Sequence, residues 1–150
     1  MHSSSSNSAT ALTTGIDIWS VGCLLYEFLT GIPLFLLSGI GQSSTVTDDE
    51  HLLQMHAMLG PLPMHIRKEW STMHRYFREN GDLYNNMVSG PEALEPLPTL
   101  EETFAEYRPK DMDDPEAQSV LSLIRSALAY LPEERPTAEQ LLQHAWLKTP

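Results

Sequence analysis

The sequence has little cysteine, little positive charge and no long apolar run. Cys23 is the only cysteine in 150 residues, so no disulfide can close within the chain, and such usage suits a reducing compartment. Nine Lys and Arg stand against twenty Asp and Glu, a net charge of −11. That balance argues against direct nucleic-acid binding and against an anionic membrane as partner, since both depend on an excess of cationic side chains. The densest apolar stretch, residues 16–29, is interrupted by Asp17, Ser20 and Glu27 and is too short to span a bilayer. The opening residues, 1–14, are polar and rich in Ser and Thr, without the basic-then-apolar order of a secretory signal. A cytoplasmic or nuclear location is the expectation that remains.

With 41% apolar residues, the chain can build one core. Its charge is uneven. Between Glu79 and Glu116 there are eleven acidic residues against two basic ones, together with five prolines. This reads as a solvated, loop-rich connector, or as a surface that attracts basic partners.

The apolar spacing predicts a helical protein with long loops. Residues 1–13 are expected to be disordered. A first helix is expected from Thr14, where Thr14 and Asp17 have capping-box spacing, to Thr30, with Gly31 and Pro33 as stop signals. Its apolar residues cover most of the circumference, so it should be buried on most sides. Gly22 in its interior implies a close backbone neighbour. A second helix should start near Thr47, with Asp48 and Asp49 adding favourable charge at its beginning, and end at Gly60. A short helical piece is expected over 64–78, a turn at Asn80-Gly81, and a brief helix from Thr99 to Tyr107. Asp114 and Pro115 should open a helix to about Leu131, and Thr137 with Gln140 should open the last one.

Two of these segments are recognisable. The run DIWSVGCLLYEFLTG, from Asp17 to Gly31, resembles the central helix of the C-terminal lobe of eukaryotic protein kinases. The run PEERPTAEQLLQHAW, from Pro132 to Trp146, resembles the last two helices of that lobe. Between them, DDEHLLQMHAMLG from Asp48 to Gly60, YFRENGDL from Tyr76 to Leu83 and the acidic connector look like the SR-protein kinases. The resemblance implies a mainly α fold, the helical C-terminal lobe without the N-terminal β lobe. It implies a partial kinase domain over 14–150, with residues 1–13 as a disordered or truncated remnant of the activation segment.

The family's chemistry needs a Gly-rich loop over the phosphates, a strand lysine paired with a helix glutamate, a catalytic-loop Asp and Asn, and a magnesium-holding Asp. In the family these precede the helix that begins at Asp17, and residues 1–16 match none of them. No catalytic, cofactor-binding or metal residue is therefore expected in this chain; ATP and Mg2+ belong to the complete enzyme. Two stretches mimic such motifs. Gly39 to Ser44 has part of a glycine-loop spacing but sits between helices, and His74-Arg75 is followed by Tyr76 where the catalytic Asp would stand. His51, His56, His65 and His74 lack the i, i+4 pairing of a helical zinc site, and Cys23 reads as inert core.

Asp17, Trp19 and Arg135 are expected as structural anchors. By resemblance, the Asp at position 17 ties the central helix to the catalytic loop; in this chain a helix-start carboxylate is the simpler role. Arg135 matches the arginine that pairs with the Glu of an Ala-Pro-Glu motif, so here it should be solvated or should find another acid. Glu50 falls where SR-protein kinases carry a groove acid that docks arginine-serine segments, while Ala57 stands where a second acid is expected. Three readings follow: the C-terminal part of a Ser/Thr kinase, inactive alone; a non-catalytic acidic docking module for basic Arg/Ser-rich segments; or a helical remnant without activity. The central helix would also expose an apolar patch able to drive self-association, with Ile18, Trp19 or Leu25 as candidates to line it.

Overall fold

The computed structural model describes residues 5–37, 41, 43–87 and 95–148, with side chains from Gly15 onward. Its secondary structure is helical: α1 (Ser5–Thr30), α2 (Ser44–Leu59), α3 (Met64–Glu69), α4 (Leu100–Tyr107), α5 (Asp114–Ala127), α6 (Ala138–Leu142) and α7 (Ala145–Lys148), with 3-10 turns at Met73–Arg75 and Pro132–Glu134. Among the described residues the extended structure amounts to one antiparallel bridge between Phe77 and Leu83. No helix among them is long and apolar enough to cross a membrane. The fold is the expected helical one. The chain divides into two compact units, residues 1–34 with 104–150, and residues 35–103.

In the first unit α1 packs on α5, and Ile18, Leu123, Ala127 and Leu141 form a core against which Leu25 and Trp146 rest. Tyr26 and Phe104 are fully buried, their ring centroids 6.1 Å apart. Gly22 of α1 lies against the end of α5. A Cβ there would lie 2.9 Å from the Leu128 side chain and 3.1 Å from Ala127 Cβ. The neighbour that Gly22 accommodates is thus a pair of side chains, not a backbone. The helix ends as expected: Gly31 takes φ +76° and donates its N–H to Glu27 O at 2.8 Å.

The start of α1 corrects the sequence reading. The helix begins at Ser5, so residues 5–13 are helical and Thr14 is not its cap. Ala9, Ala11 and Leu12 are good helix formers and no Pro interrupts them, so nothing stops the helix at Thr14. Residues 1–4 lie outside the described residues. Asp17 is consequently an exposed acid in a helix interior, and its expected role as a helix-start carboxylate falls away.

α5 starts one residue earlier than expected, with Asp113 as cap accepting from Glu116 N at 2.9 Å, and it ends at Ala127. Thr137 and Gln140 form the full reciprocal capping box of α6. Thr99 and Glu102 do the same for α4, at 2.8 Å and 3.3 Å.

In the second unit the cap of α2 is Ser43, and Asp49 lies inside the helix. The expected helix over 64–78 is broken at Trp70. Beyond it, the Asn80-Gly81 turn forms with Gly81 at φ +88° and Arg78 N donating to Asp82 O at 2.9 Å. Gln54 of α2 holds the loop before it, accepting from Leu36 N at 2.9 Å and donating to Leu36 O at 2.7 Å. The glycine-spaced stretch from Gly39 to Ser44 lies mostly outside the described residues.

Candidate functional site

The expected anchors separate. Arg135 and Trp19 meet: the guanidinium lies 4.9 Å from the centre of the Trp19 ring. Its N–H groups donate to Gly15 O at 2.6 Å, Ala129 O at 2.8 Å and Tyr130 O at 3.2 Å. Gly15 permits this approach, since a Cβ there would sit 3.0 Å from Pro132 Cβ. Of the two expected outcomes for Arg135, an acid partner is not among its hydrogen bonds, while part of the side chain remains exposed to solvent. Half-buried, it is held by three carbonyls and an indole face. Burial lowers its pKa, opposed by the field of Glu133. The physical reason is geometric: a planar fork with several N–H groups can satisfy itself on converging backbone carbonyls without a carboxylate. The clasp joins the two segments that carried the kinase resemblance. Asp17 takes no part in it.

Glu50 is half-buried on α2. Its neighbour Asp49, read from the sequence as one more helix-start acid, is buried in the second unit and gathers a hydrogen-bonded cluster. Asp49 is 2% exposed. One carboxylate oxygen accepts from Trp70 Nε1 at 2.6 Å and from the Thr72 hydroxyl; the other accepts from Tyr76 OH at 2.7 Å. Trp70 stacks on Tyr76 with centroids 5.7 Å apart and meets Phe77 edge-on at 5.9 Å. Burial alone would raise the Asp49 pKa, but the bonds from Thr72, Tyr76 and Trp70 and the charge of Arg75 hold it below the ordinary Asp range. Tyr76 is pushed up to about 12 by burial and by its bond to Asp49. Sequence spacing could not reveal this cluster, because its members are 21, 23 and 27 residues from Asp49. The available signal was weaker: a buried Trp and Tyr each need a polar partner.

Beside the cluster opens a concavity of about 470 Å³, lined by Asp48, Asp49, His51, Glu69, Trp70 and Thr72 among others. Its lining acids are Asp48, Asp49 and Glu69; Glu50 is not part of it. His51 is half-buried against Phe35, ring centroids 4.8 Å apart, and its pKa is lowered by burial, opposed by Asp48.

Apolar side chains of α1 are exposed, and of the three candidates Ile18, Trp19 and Leu25 the first and last line a groove beside them. Phe28 is 82% exposed, and Ile16, Val21 and Leu24 are exposed with it, whereas Ile18 is core and Trp19 lies under Arg135. Ile18 and Leu25 do line a groove of about 440 Å³ with Val21, Leu24 and Phe28, closed on its other side by residues of α5, α6 and α7.

The protein kinase domain family matches residues 7–147, and the chain belongs to that family. Within it, the likeness runs to SR-type kinases. The dual specificity protein kinase lkh1 of Schizosaccharomyces pombe is 32% identical over 139 residues, 89% of this chain and 18% of that protein. The serine/threonine-protein kinase AFC3 of Arabidopsis thaliana is 35% identical over 138 residues, 89% of this chain and 31% of that protein. The serine/threonine-protein kinase SRPK of Physarum polycephalum is 32% identical over 135 residues, 89% of this chain and 29% of that protein. The chain thus spans less than a third of the length of these curated relatives.

The family implies ATP and Mg2+ for complete enzymes. Among the described residues no three His, Cys, Asp or Glu side chains are grouped where they could hold an ion. Asp49, the buried carboxylate, already accepts from three protein donors.

Proposed function

We propose that these residues form the C-terminal helical part of a serine/threonine kinase of the SR-protein kinase type. The complete enzyme would transfer the ATP γ-phosphate to serines of Arg/Ser-rich proteins, and the 150 residues by themselves would transfer none. The observation that carries this reading is the family match across α1 to α7, with Arg135 clasping the first matched segment to the last. The inactivity rests on the sequence: residues 1–16, which precede the first kinase-like segment, match no phosphate loop, strand lysine or metal-holding Asp motif. Its test is transfer of labelled phosphate from Mg·ATP to an arginine-serine peptide. The 150-residue chain should give only the blank rate, and a longer product carrying upstream kinase motifs should be active. Transfer by the chain alone would overturn the reading.

A non-catalytic docking module for basic Arg/Ser-rich segments is the second reading, favoured by the acid-lined concavity on α2 and α3. Long-range attraction would dominate, and salt would screen it. Titration with an arginine-serine peptide at low salt should show binding that weakens with added salt, with Glu50→Lys or Asp48→Lys reducing it several-fold. Unchanged binding in both variants would remove the docking role. Direct binding of nucleic acid is not part of either reading, given the net charge of −11.

A further inference from the structure

We propose that α2 is an acid-sensitive element: protonation of His51 and His56 loosens its packing in the second unit, which the neutral rings hold closed. The contacts that make it so lie within residues 35–103 and do not depend on the kinase reading. Both histidines are half-buried on α2, and each meets a phenylalanine edge-on. His51 meets Phe35 with ring centroids 4.8 Å apart, and His56 meets Phe77 at 4.9 Å. Phe77 is buried and edge-on to Trp70 in turn, so the His56 ring adjoins the Asp49 cluster. His51 Nε2 is buried without a hydrogen-bond partner among the described residues. A neutral ring can leave a bare lone pair there; a protonated ring puts a charged N–H there with nothing to accept it.

The surrounding charges do not rescue the protonated rings. Asp48, one turn before His51, favours its charged form, and Asp49 and Glu69 line the same concavity. Asp49 is already spent on three donors, and water screens the exposed Asp48 and Glu69. Burial therefore prevails, and the His51 pKa lies below its ordinary value. His56 faces a charge of its own sign, Arg67 of α3, whose Nε is also buried without a partner among the described residues. The residues one turn from His56 on α2, Leu52, Leu53, Leu59 and Gly60, carry no charge. Protonation would set two half-buried cations side by side, and burial followed by the Arg67 charge lowers the His56 pKa. The unfolded chain thus binds these protons more readily. The stability due to the neutral rings is complete above the ordinary histidine value of about 6.5 and is lost as pH falls through it to the folded values below. This loss precedes the one due to Asp49, which comes below about 3.9.

Amide hydrogen exchange of the whole 150-residue chain, corrected for the intrinsic pH dependence of exchange and read by peptide mass, tests this. Protection over residues 44–59 should fall several-fold between about pH 7.5 and about pH 5, on either side of the ordinary histidine value. His51→Phe combined with His56→Phe keeps an aromatic ring at each position and removes the titration, so it should abolish most of that fall. Arg67→Met should reduce the fall, because the charge that opposes protonated His56 is gone; a role in packing alone would not tie Arg67 to pH. His65→Phe combined with His74→Phe, at exposed positions of the same unit, should leave it unchanged. Circular dichroism at neutral pH confirms that each variant is folded. Proton NMR of the unsubstituted chain gives a second reading that needs no variant: the His51 and His56 ring signals should titrate below the ordinary value. Protection independent of pH, a fall of the same size in the His51/His56 variant, or ring signals that both titrate at or above the ordinary value would overturn the proposal.

Discussion

The two units are built on opposite principles. In the unit of α1 and α5–α7, apolar surfaces fit closely. Ile18, Leu123, Ala127 and Leu141 interlock, Gly22 lets α5 side chains reach α1, and the charged member, Arg135, is turned onto carbonyls and an indole. In the unit of α2 and α3, an acid is buried among apolar and aromatic side chains that include Leu53, Leu62, Trp70, Tyr76 and Phe77. Isolating an ionised carboxylate from water costs several kcal/mol even after relaxation. Three donors offset this, since each bond to a charged group contributes about 1.5–3 kcal/mol. The first unit should therefore be sensitive to volume and the second to hydrogen-bonding capacity.

The sharpest way to break that contrast is Asp49→Ala. It leaves Trp70 Nε1, Tyr76 OH and the Thr72 hydroxyl without their shared acceptor, and should cost the second unit about 3 kcal/mol or more, at roughly 1–3 kcal/mol for each unsatisfied donor. Urea unfolding followed by Trp70 emission, with Trp19 and Trp146 replaced by Phe, measures it. A cost below about 1 kcal/mol would mean the cluster is wet and weak.

The complementary substitution is Gly22→Val. It adds volume where even a Cβ would meet Leu128 at 2.9 Å, and should cost the first unit about 3 kcal/mol, read from thermal unfolding. Gly22→Ala should cost less, because the gain in helix propensity of about 1 kcal/mol works against the crowding.

Acid should separate the units next. The lowered pKa of Asp49 means its contribution is complete above the ordinary Asp value of about 3.9 and is lost as pH falls through the folded value below it. Tyr76 has the opposite sign. Its contribution is complete below the ordinary tyrosine pKa and is lost as pH rises towards about 12. The second unit is then most stable between these limits, and Asp49→Asn should flatten the acid side of its stability profile. A variant profile parallel to the native one would show that Asp49 does not set it.

The smallest effect is Thr137→Ala, which removes one half of a capping box and should cost about 1 kcal/mol in the first unit alone.

What the sequence revealed follows the same division. Caps and stops act over a few residues, so Thr99, Thr137 and Gly31 were legible, and so was the helical lobe they delimit. The Arg135–Trp19 contact joins residues from the two recognisable segments, but its carbonyl partners were not predictable from residue types. Asp49 was hidden by Asp48 and Glu50, which give it the look of one more solvated acid. Its burial depends on Trp70, Thr72 and Tyr76 folding back to it across many residues. The beginning of α1 was missed because a capping pattern at Thr14 and Asp17 competes poorly with a run of residues that all tolerate helix.

The central proposal is that these residues are the scaffold part of a kinase domain, without phosphoryl-transfer chemistry of their own. Titration of the 150-residue chain with Mg·ATP, followed by calorimetry and by phosphate incorporation into an arginine-serine peptide, tests it most directly. The account predicts no saturable heat and no incorporated phosphate; saturable nucleotide binding together with transfer to the peptide would contradict it.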